Sequence, residues 1–324
     1  MAKAFFIYEA GGPDVLKLQE YSLDSPGLHQ VRIRQLAVGV NYHDIYVRSG
    51  LYNSLSLPGV PGIEATGIVE EVGAGVTLVK IGDCVTYISS SYGAYADERL
   101  IDESLLIRVP EAVDSKLAAC MMVRGLTAQV LLHEVFSVDS SHTILVHAAA
   151  GGGRLLCQWA KHLGARVIGT VGNEEKAQTA RALGCDHAIL YRQENFVDRV
   201  MDVTGGEGVD VAYDSVGKDT FSGSMDCLKT LGYLVSFGQT SGPVEPLLVS
   251  RLAEKSTTLV RPILSHYIAN SERRESIANG FFDAISSGVL TPRTEHEYAF
   301  SDVGQAQADM EARKTSGAVV LTVS

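Results

Sequence analysis

The chain has few of the groups that bind metals or act as nucleophiles. Five cysteines, at positions 84, 120, 157, 185 and 227, lie far apart among 324 residues. They form no Cys-x-x-Cys and no zinc-ribbon spacing, and their number is odd, so a reduced, cytosolic protein is expected. The nine histidines show no His-Glu-x-x-His or other metal-ligand spacing. No Gly-x-Ser-x-Gly occurs, which argues against a serine hydrolase. No tyrosine is followed four positions later by lysine, so the catalytic pair of short-chain dehydrogenases is absent. Basic residues are outnumbered, 27 Lys and Arg against 38 Asp and Glu, for a net charge of −11. That balance lacks the footprint needed for nucleic acid or an anionic membrane, although it permits one local cationic pocket. No apolar run approaches the ~18 residues of a membrane span. The stretch before Glu9 is too short for a signal peptide and reads as a first strand.

What the chain does have is apolar residues and glycine. Hydrophobic residues make up 46% and charged residues 20%, enough for a sizeable core in one large or two intimate domains. Glycine is 32 of 324, above the usual share of about 7%. The first 110 residues read as β-rich. Val31-Arg32-Ile33-Arg34 alternates as a half-buried strand, and Gly62 to Val85 mixes β-branched residues with glycines suited to turns and bulges. Ser89 to Gly93 reads as a loop. From Asp114, a candidate N-cap, to Phe136 the spacing is helical, and Met121-Met122 reads as core.

Short apolar strands then alternate with amphipathic helices: Thr143–His147, Arg166–Thr170, His187–Leu190, Val209–Asp214, Tyr233–Ser236 and Thr257–Val260. This predicts a doubly wound parallel sheet of α/β class, the Rossmann arrangement. Beyond Pro262 the pattern gives one helix, Ser271–Ser286, and a β-like tail over Ala318–Val323. A completed six-stranded sheet does not readily accept that tail. It is expected to return to the β-rich part, which makes that domain discontinuous (1–121 and 265–324) around a nucleotide-binding domain at 122–264.

The first strand of the series runs into Ala148-Ala149-Ala150-Gly151-Gly152-Gly153, followed by a helix with Leu155, Leu156, Trp159, Ala160 and Leu163 on one face. Small residues between strand and helix let backbone amides approach a pyrophosphate at the helix N-terminus. Ala150, Gly151, Gly152 and Gly153 are therefore cofactor candidates. The second strand ends at Thr170-Val171-Gly172-Asn173 without the acid that holds a ribose 2′-hydroxyl. Glu174 and Glu175 instead suit the first turn of a helix. Gly172 with Lys176, and Tyr191-Arg192 after the third strand, suit a 2′-phosphate, which favours NADPH over NADH. A solvated helix charge is the competing account of Lys176. Ser215, Phe237 and Gly238 end strands four and five and face the same carboxyl-edge crevice. Arg261 follows the sixth strand.

Several segments together resemble one family. Gly62-Ile63-Glu64-Ala65-Thr66-Gly67, continuing to Gly73, is similar to the GHExxGxxxxxG signature of medium-chain alcohol dehydrogenases. Gly39 to Asp44 occupies the place of that family's metal-binding Cys-x-x-Asp. Ile63 stands where the zinc-ligand His would be and Asn41 where the Cys would be, and the four-cysteine structural zinc motif is missing. The resemblance is to the zinc-free quinone oxidoreductases related to ζ-crystallin, through Asn41 to Tyr52, Arg124-Gly125-Leu126-Thr127-Ala128 and Tyr213-Asp214-Ser215-Val216-Gly217, and it covers essentially the whole chain. One departure is a glycine turn that is one residue short. The alignment of Gly153 is then ambiguous, and Arg154 either disturbs helix–sheet packing or points outward.

The resemblance implies a GroES-like β-rich catalytic domain beside the Rossmann domain, and metal-free hydride transfer from NADPH to a quinone, or one-electron transfer. Without a Lewis acid, oxidation of simple alcohols is disfavoured, whereas a conjugated acceptor delocalises the oxyanion. Asn41, Tyr46 and Tyr52 would line the acceptor side, with the phenols as donors to the oxyanion. Thr127, and Asn41 again, would meet the cofactor, and Arg261 would close the crevice. Simple packing is the competing account of both tyrosines. His43 reads as a surface histidine, and Asp44 as a structural hydrogen-bonding residue. A homodimer through the nucleotide-binding domains is also implied. Reduction of αβ-unsaturated aldehydes or ketones is the alternative activity, and an NADPH-binding structural or RNA-binding role the alternative of another kind.

Overall fold

The computed structural model describes residues 1–323. In chain order its elements are β1 (Ala2–Phe6), β2 (Lys17–Tyr21), β3 (Gln30–Val40), α1 (Tyr42–Arg48), β4 (Glu64–Val72), β5 (Cys84–Ile88), β6 (Glu98–Asp102), β7 (Leu106–Arg108) and α2 (Ser115–Val130). There follow β8 (Thr143–Val146), α3 (Arg154–His162), β9 (Arg166–Val171), α4 (Glu174–Ala182), β10 (His187–Leu190), α5 (Phe196–Val203), β11 (Val209–Asp214), α6 (Phe221–Asp226), β12 (Leu228–Ser236) and β13 (Thr258–Val260). The chain ends with α7 (Leu264–Tyr267), α8 (Ser271–Ser286), β14 (Thr294–Ala299), α9 (Val303–Glu311) and β15 (Ala318–Thr322). No helix among the described residues is long and apolar enough to cross a membrane.

Two compact units divide the chain. The first comprises Met1–Gly125, Ala269–Ser286 and the chain from Thr291 onward; the second comprises Leu126–Ile268 and Ser287–Leu290.

The first unit is built on a sheet of order β14-β15-β3-β4-β5-β7, with β6 also pairing with β3. Strand β3 sits at its centre because its inward residues Val31, Ile33, Val38 and Val40 are all apolar and buried. The C-terminal strand β15 pairs antiparallel with it, Val319 opposite Val40. The core joins these residues to Val85, Tyr87, Tyr95, Met310 and Leu321.

The second unit is a six-stranded sheet of order β10-β9-β8-β11-β12-β13, parallel throughout. This is the doubly wound order, in which the chain reverses direction at β8 and opens a crevice at the strands' carboxyl ends. Near-continuous apolar runs such as Ile144-Leu145-Val146, all fully buried, belong to strands covered on both faces.

Three expectations need correction. The helix from Asp114 to Phe136 is α-helical only as far as Val130; Leu131–Val135 forms a π-helical turn closed by Phe136 N–H to the Leu131 carbonyl at 3.3 Å. That carbonyl also accepts from the Tyr213 hydroxyl at 3.2 Å, so a partner on β11 accompanies the widened turn. Strand β12 begins at Leu228 rather than Tyr233, since Leu228 pairs with Val209 ahead of a bulge. Beyond Pro262 the chain holds α7, β14 and α9 in addition to the one expected helix. Helix α9 escaped notice because its buried face, Val303, Ala306, Gln307 and Met310, includes a glutamine and a small alanine, which blurs the apolar period.

Candidate functional site

In the first unit, the end of β3 feeds directly into α1, and Asn41 takes the N-cap position between them with an extended backbone. Asp44 Oδ2 accepts the Asn41 main-chain N–H at 2.8 Å, so the capping acid also fixes the residue that caps. The Asn41 side-chain Nδ2 donates to Glu64 Oε1 at 2.7 Å, and Glu64 Oε2 accepts the Val123 N–H of α2 at 2.7 Å. Gly39 makes this possible: a Cβ there would lie 2.5 Å from Glu64 Oε1. Both carboxyls are fully buried, and burial pushes Asp44 and Glu64 each up to about 7 against the hydrogen bonds that favour their charged forms. Asp44 is further tied through Tyr95 and Gln307 to the buried Arg48, by bonds of 3.2, 3.0 and 3.0 Å.

Helix α1, the loop after it and the loop after β5 together carry a run of neighbouring rings. Tyr42 to Tyr46 is 6.2 Å between centroids, Tyr46 to Tyr52 5.2 Å, Tyr52 to His43 5.4 Å and His43 to Tyr92 5.8 Å. The structure thus brings the expected acceptor-side residues Tyr46 and Tyr52 together, beside the Asn41 cap. His43 is not a solvated surface residue. It lies half-buried against Tyr52 and Tyr92, and burial lowers its pKa, because a helix position facing two rings loses water.

Zinc does not fit here. Ile63 is packed with Val47 and Tyr92 and has no donor atom, while the Asn41 amide is spent on Glu64. Among the described residues no three of His, Cys, Asp and Glu gather as metal ligands.

In the second unit, β8 ends in a turn whose geometry resolves the shortened glycine run. A Cβ at Gly153 would lie 2.5 Å from Val146 Cγ1 and 2.8 Å from the His147 carbonyl oxygen. Gly153, the N-cap of α3, is therefore the glycine required for close strand–helix packing, and Arg154 simply opens the helix. Gly151 and Gly152 face open space instead: a Cβ would find nothing nearer than Ala148 O at 3.7 Å and Ser215 Oγ at 4.0 Å. Ala150, just before them, is buried. Such bare backbone at a helix N-terminus fits a dinucleotide's pyrophosphate.

Ser215 and Gly238 meet at the ends of β11 and β12, where a Cβ on Gly238 would approach Ser215 O to 2.5 Å. Phe237 N–H bonds the Asp214 carbonyl at 2.9 Å. Arg261 Nη1 donates to Ser236 O, Ser236 Oγ and Gly238 O at 3.1, 3.2 and 2.9 Å, so this guanidinium clamps the strand end. Gly172 lies beside Tyr191 and Arg192: a Cβ there would be 3.4 Å from the Tyr191 hydroxyl and 3.7 Å from Arg192 Nε. Lys176 sits in the first turn of α4, where Asn173 Oδ1 accepts its N–H at 2.9 Å. The Lys176 and Arg192 side chains are exposed and pair with no carboxylate among the described residues. Thr127 is half-buried on α2.

Beneath the turn lies a buried network absent from the sequence reading. His147 Nδ1 meets Thr170 Oγ1 at 2.8 Å, His147 Nε2 meets Ser224 Oγ at 2.9 Å, and Ser224 Oγ donates to Asp214 Oδ2 at 2.9 Å. The serine sits between histidine and aspartate, so this order makes no activated nucleophile. It ties the ends of β8, β9 and β11 together instead. Glu64 belongs to the Gly62–Gly67 segment, and its place at the start of β4 is the sequence signal for its contact with Asn41.

The two halves match known family domains: an alcohol dehydrogenase GroES-like domain over residues 27–111 and a zinc-binding dehydrogenase domain over residues 151–279. The chain is 42% identical to a 2-haloacrylate reductase of Burkholderia sp and 41% identical to a quinone oxidoreductase of Pseudomonas aeruginosa, with 99% of each chain covered. Its fold superposes on the Escherichia coli quinone oxidoreductase crystallised with NADPH at a TM-score of 0.95 and 39% identity, covering 99% of both chains. Fold, site and these likenesses define an oxidoreductase of the medium-chain dehydrogenase/reductase superfamily. Within it, the chain belongs to the quinone oxidoreductase family.

Proposed function

We propose that the protein is an NADPH-dependent reductase that delivers a hydride to a quinone without a metal. The observation that carries this reading is the Asn41–Glu64 pair, which occupies a metal-ligand position with an amide already committed to a buried acid. Bound NADPH supplies the hydride. Gly152 offers its main-chain N–H to the pyrophosphate, Gly151 leaves an open Cα face beside it while its own N–H bonds the Ala148 carbonyl at 2.8 Å, and Ala150 and Gly153 shape the turn. Gly172 leaves room at the ribose, where Lys176, Tyr191 and Arg192 provide charge and a hydroxyl for the 2′-phosphate. Ser215, Phe237, Gly238 and Thr127 line the remainder, and Arg261 holds the end of β12 in place. We assign this binding to the second unit.

On the acceptor side, Asn41 orients the acceptor and the Tyr46 and Tyr52 hydroxyls donate to its developing oxyanion. A quinone needs only such modest help, because its conjugated ring spreads the charge. The likeness to 2-haloacrylate reductase favours a second reading, reduction of an activated carbon–carbon double bond. Following NADPH loss with a quinone and an enone in parallel separates the two. Tight NADPH binding with no acceptor turned over would overturn both in favour of a structural role. The active form is a homodimer on this reading, which sedimentation of the holoenzyme tests.

A further inference from the structure

Three residues outside the acceptor-side set form a connected path from the surface to the ring cluster. Ser54 is exposed, and its Oγ lies 2.5 Å from the Tyr92 hydroxyl. Tyr92 is buried, with 4% of its surface exposed, and its hydroxyl lies 3.1 Å from His43 Nε2. The histidine ring stacks on Tyr92 and stands edge-on to Tyr52. Its other nitrogen, Nδ1, has no partner among the described residues.

The Tyr92 position is costly, which argues that it is held for a reason. Its φ is +60°, in the left-handed region that side-chain-bearing residues avoid. The loop is pinned there by Tyr92 N–H to Ser89 O at 3.3 Å and Gly93 N–H to Val60 O at 2.9 Å. A strained backbone that places one phenol between a surface hydroxyl and a half-buried imidazole is more than ring packing requires. Burial also favours the neutral imidazole of His43, a form whose ring can accept at Nε2 while carrying a proton at Nδ1.

Resting on the quinone reductase reading, we infer that Ser54, Tyr92 and His43 form a proton relay that supplies the proton accompanying the hydride. In the reaction, quinone, NADPH and one proton give hydroquinone and NADP⁺. The hydride brings both electrons, so no other redox partner is needed. The His43 Nδ1–H bond breaks as the proton passes to the reduced acceptor's oxygen. A bond forms at Nε2 to the Tyr92 proton, Tyr92 takes the Ser54 proton, and Ser54 is replenished from water. After product leaves, Nδ1 takes up a proton from water and the Nε2 proton returns along the same path, which restores the starting tautomer.

Tyr92→Phe removes only the hydroxyl and keeps the ring. With NADPH and a quinone we expect kcat to fall about tenfold, KM for both substrates to hold, and the H₂O/D₂O rate ratio to rise as proton delivery becomes limiting. His43→Ala gives the second arm: kcat falls similarly and added imidazole restores it, which a packing role does not produce. Parental kcat and isotope effect in Tyr92→Phe, or a His43→Ala defect that imidazole leaves untouched, overturns the relay alone. Absence of quinone turnover in the parent protein overturns the functional reading and the relay with it.

Discussion

Asn41 donates its side-chain amide to Glu64 at 2.7 Å, and the acid it meets is wholly buried with its pKa raised to about 7. Burial raises the Asp44 carboxyl on the other side of Asn41 to about 7 as well. An acid with a raised pKa binds more protons folded than unfolded, so its contribution to stability is lost as pH climbs from the ordinary carboxyl range to about 7. Glu64→Gln removes one of these titrations. It also turns a donor towards either Asn41 or Val123, leaving a buried mismatch of about 1–3 kcal/mol. We expect the variant's stability deficit, measured by urea unfolding, to be largest near pH ~5 and to shrink towards pH ~8, the window set by the shift. A deficit that grows with pH would contradict the raised Glu64 pKa.

The glycine turn offers two substitutions with opposite signatures. A Cβ at Gly153 would meet Val146 Cγ1 at 2.5 Å and the His147 carbonyl at 2.8 Å, whereas at Gly152 the nearest atom is 4.0 Å away. Gly153→Ala should therefore cost about 1–3 kcal/mol of stability by overpacking. Gly152→Ala should leave Tm close to the parent while NADPH binding, followed by nucleotide fluorescence, weakens about tenfold or more through loss of close backbone approach. Equal melting temperatures for the two variants would remove the distinction between packing and ligand-facing glycines.

Charge at the ribose end should separate the two nicotinamide cofactors. Lys176 and Arg192 are exposed and pair with no carboxylate among the described residues, so removing either strips no internal ion pair. Arg192→Ala is expected to weaken NADPH binding about tenfold, or ~1.4 kcal/mol, and to leave NADH binding unchanged. Lys176→Ala should act in the same direction with a smaller effect, since an ammonium binds phosphate as a point charge without the guanidinium's fork. Parallel losses for both cofactors in titrations would show that neither cation addresses the 2′-phosphate.

The α/β class and the six parallel strands were readable because buried parallel strands leave short apolar runs between amphipathic helices, as at Ile144-Leu145-Val146 and Val211-Ala212-Tyr213. The elements that escaped, β14 and α9, present half-buried faces, and α9 hides its period by burying Gln307 against Arg48 at 3.0 Å. Much the same holds for side-chain networks. Nothing local marks Glu64 as the acceptor of the Asn41 amide 23 positions earlier, or Tyr92 as the partner of His43 across 49 positions. Both contacts arise only when β4 and the loop after β5 come against α1. His147 was likewise invisible, since a histidine ending an apolar strand does not announce partners on another strand, β9, and on a helix, α6.

That His147 network should give the opposite pH signature to Glu64. Its imidazole is fully buried between Thr170 and Ser224, at 2.8 and 2.9 Å, and burial lowers its pKa despite the nearby Asp214. A base with a lowered pKa binds fewer protons folded than unfolded. Its contribution is present above the ordinary histidine value of ~6.5 and is lost as pH falls through the folded value. One arrangement satisfies every group: Thr170 O–H to Nδ1, Nε2–H to Ser224 Oγ, and Ser224 O–H to Asp214 Oδ2. Ser224→Ala leaves the His147 Nε2–H buried without an acceptor, which costs about 1–3 kcal/mol. His147→Gln removes the titration itself. We expect the parent to lose stability relative to His147→Gln as pH drops below ~6.5, read as converging urea midpoints. Because the network ties together the ends of β8, β9 and β11 around the glycine turn, Ser224→Ala should also weaken NADPH binding. A gap between parent and His147→Gln that stays constant from neutral to acidic pH would show that His147 keeps the same charge folded and unfolded.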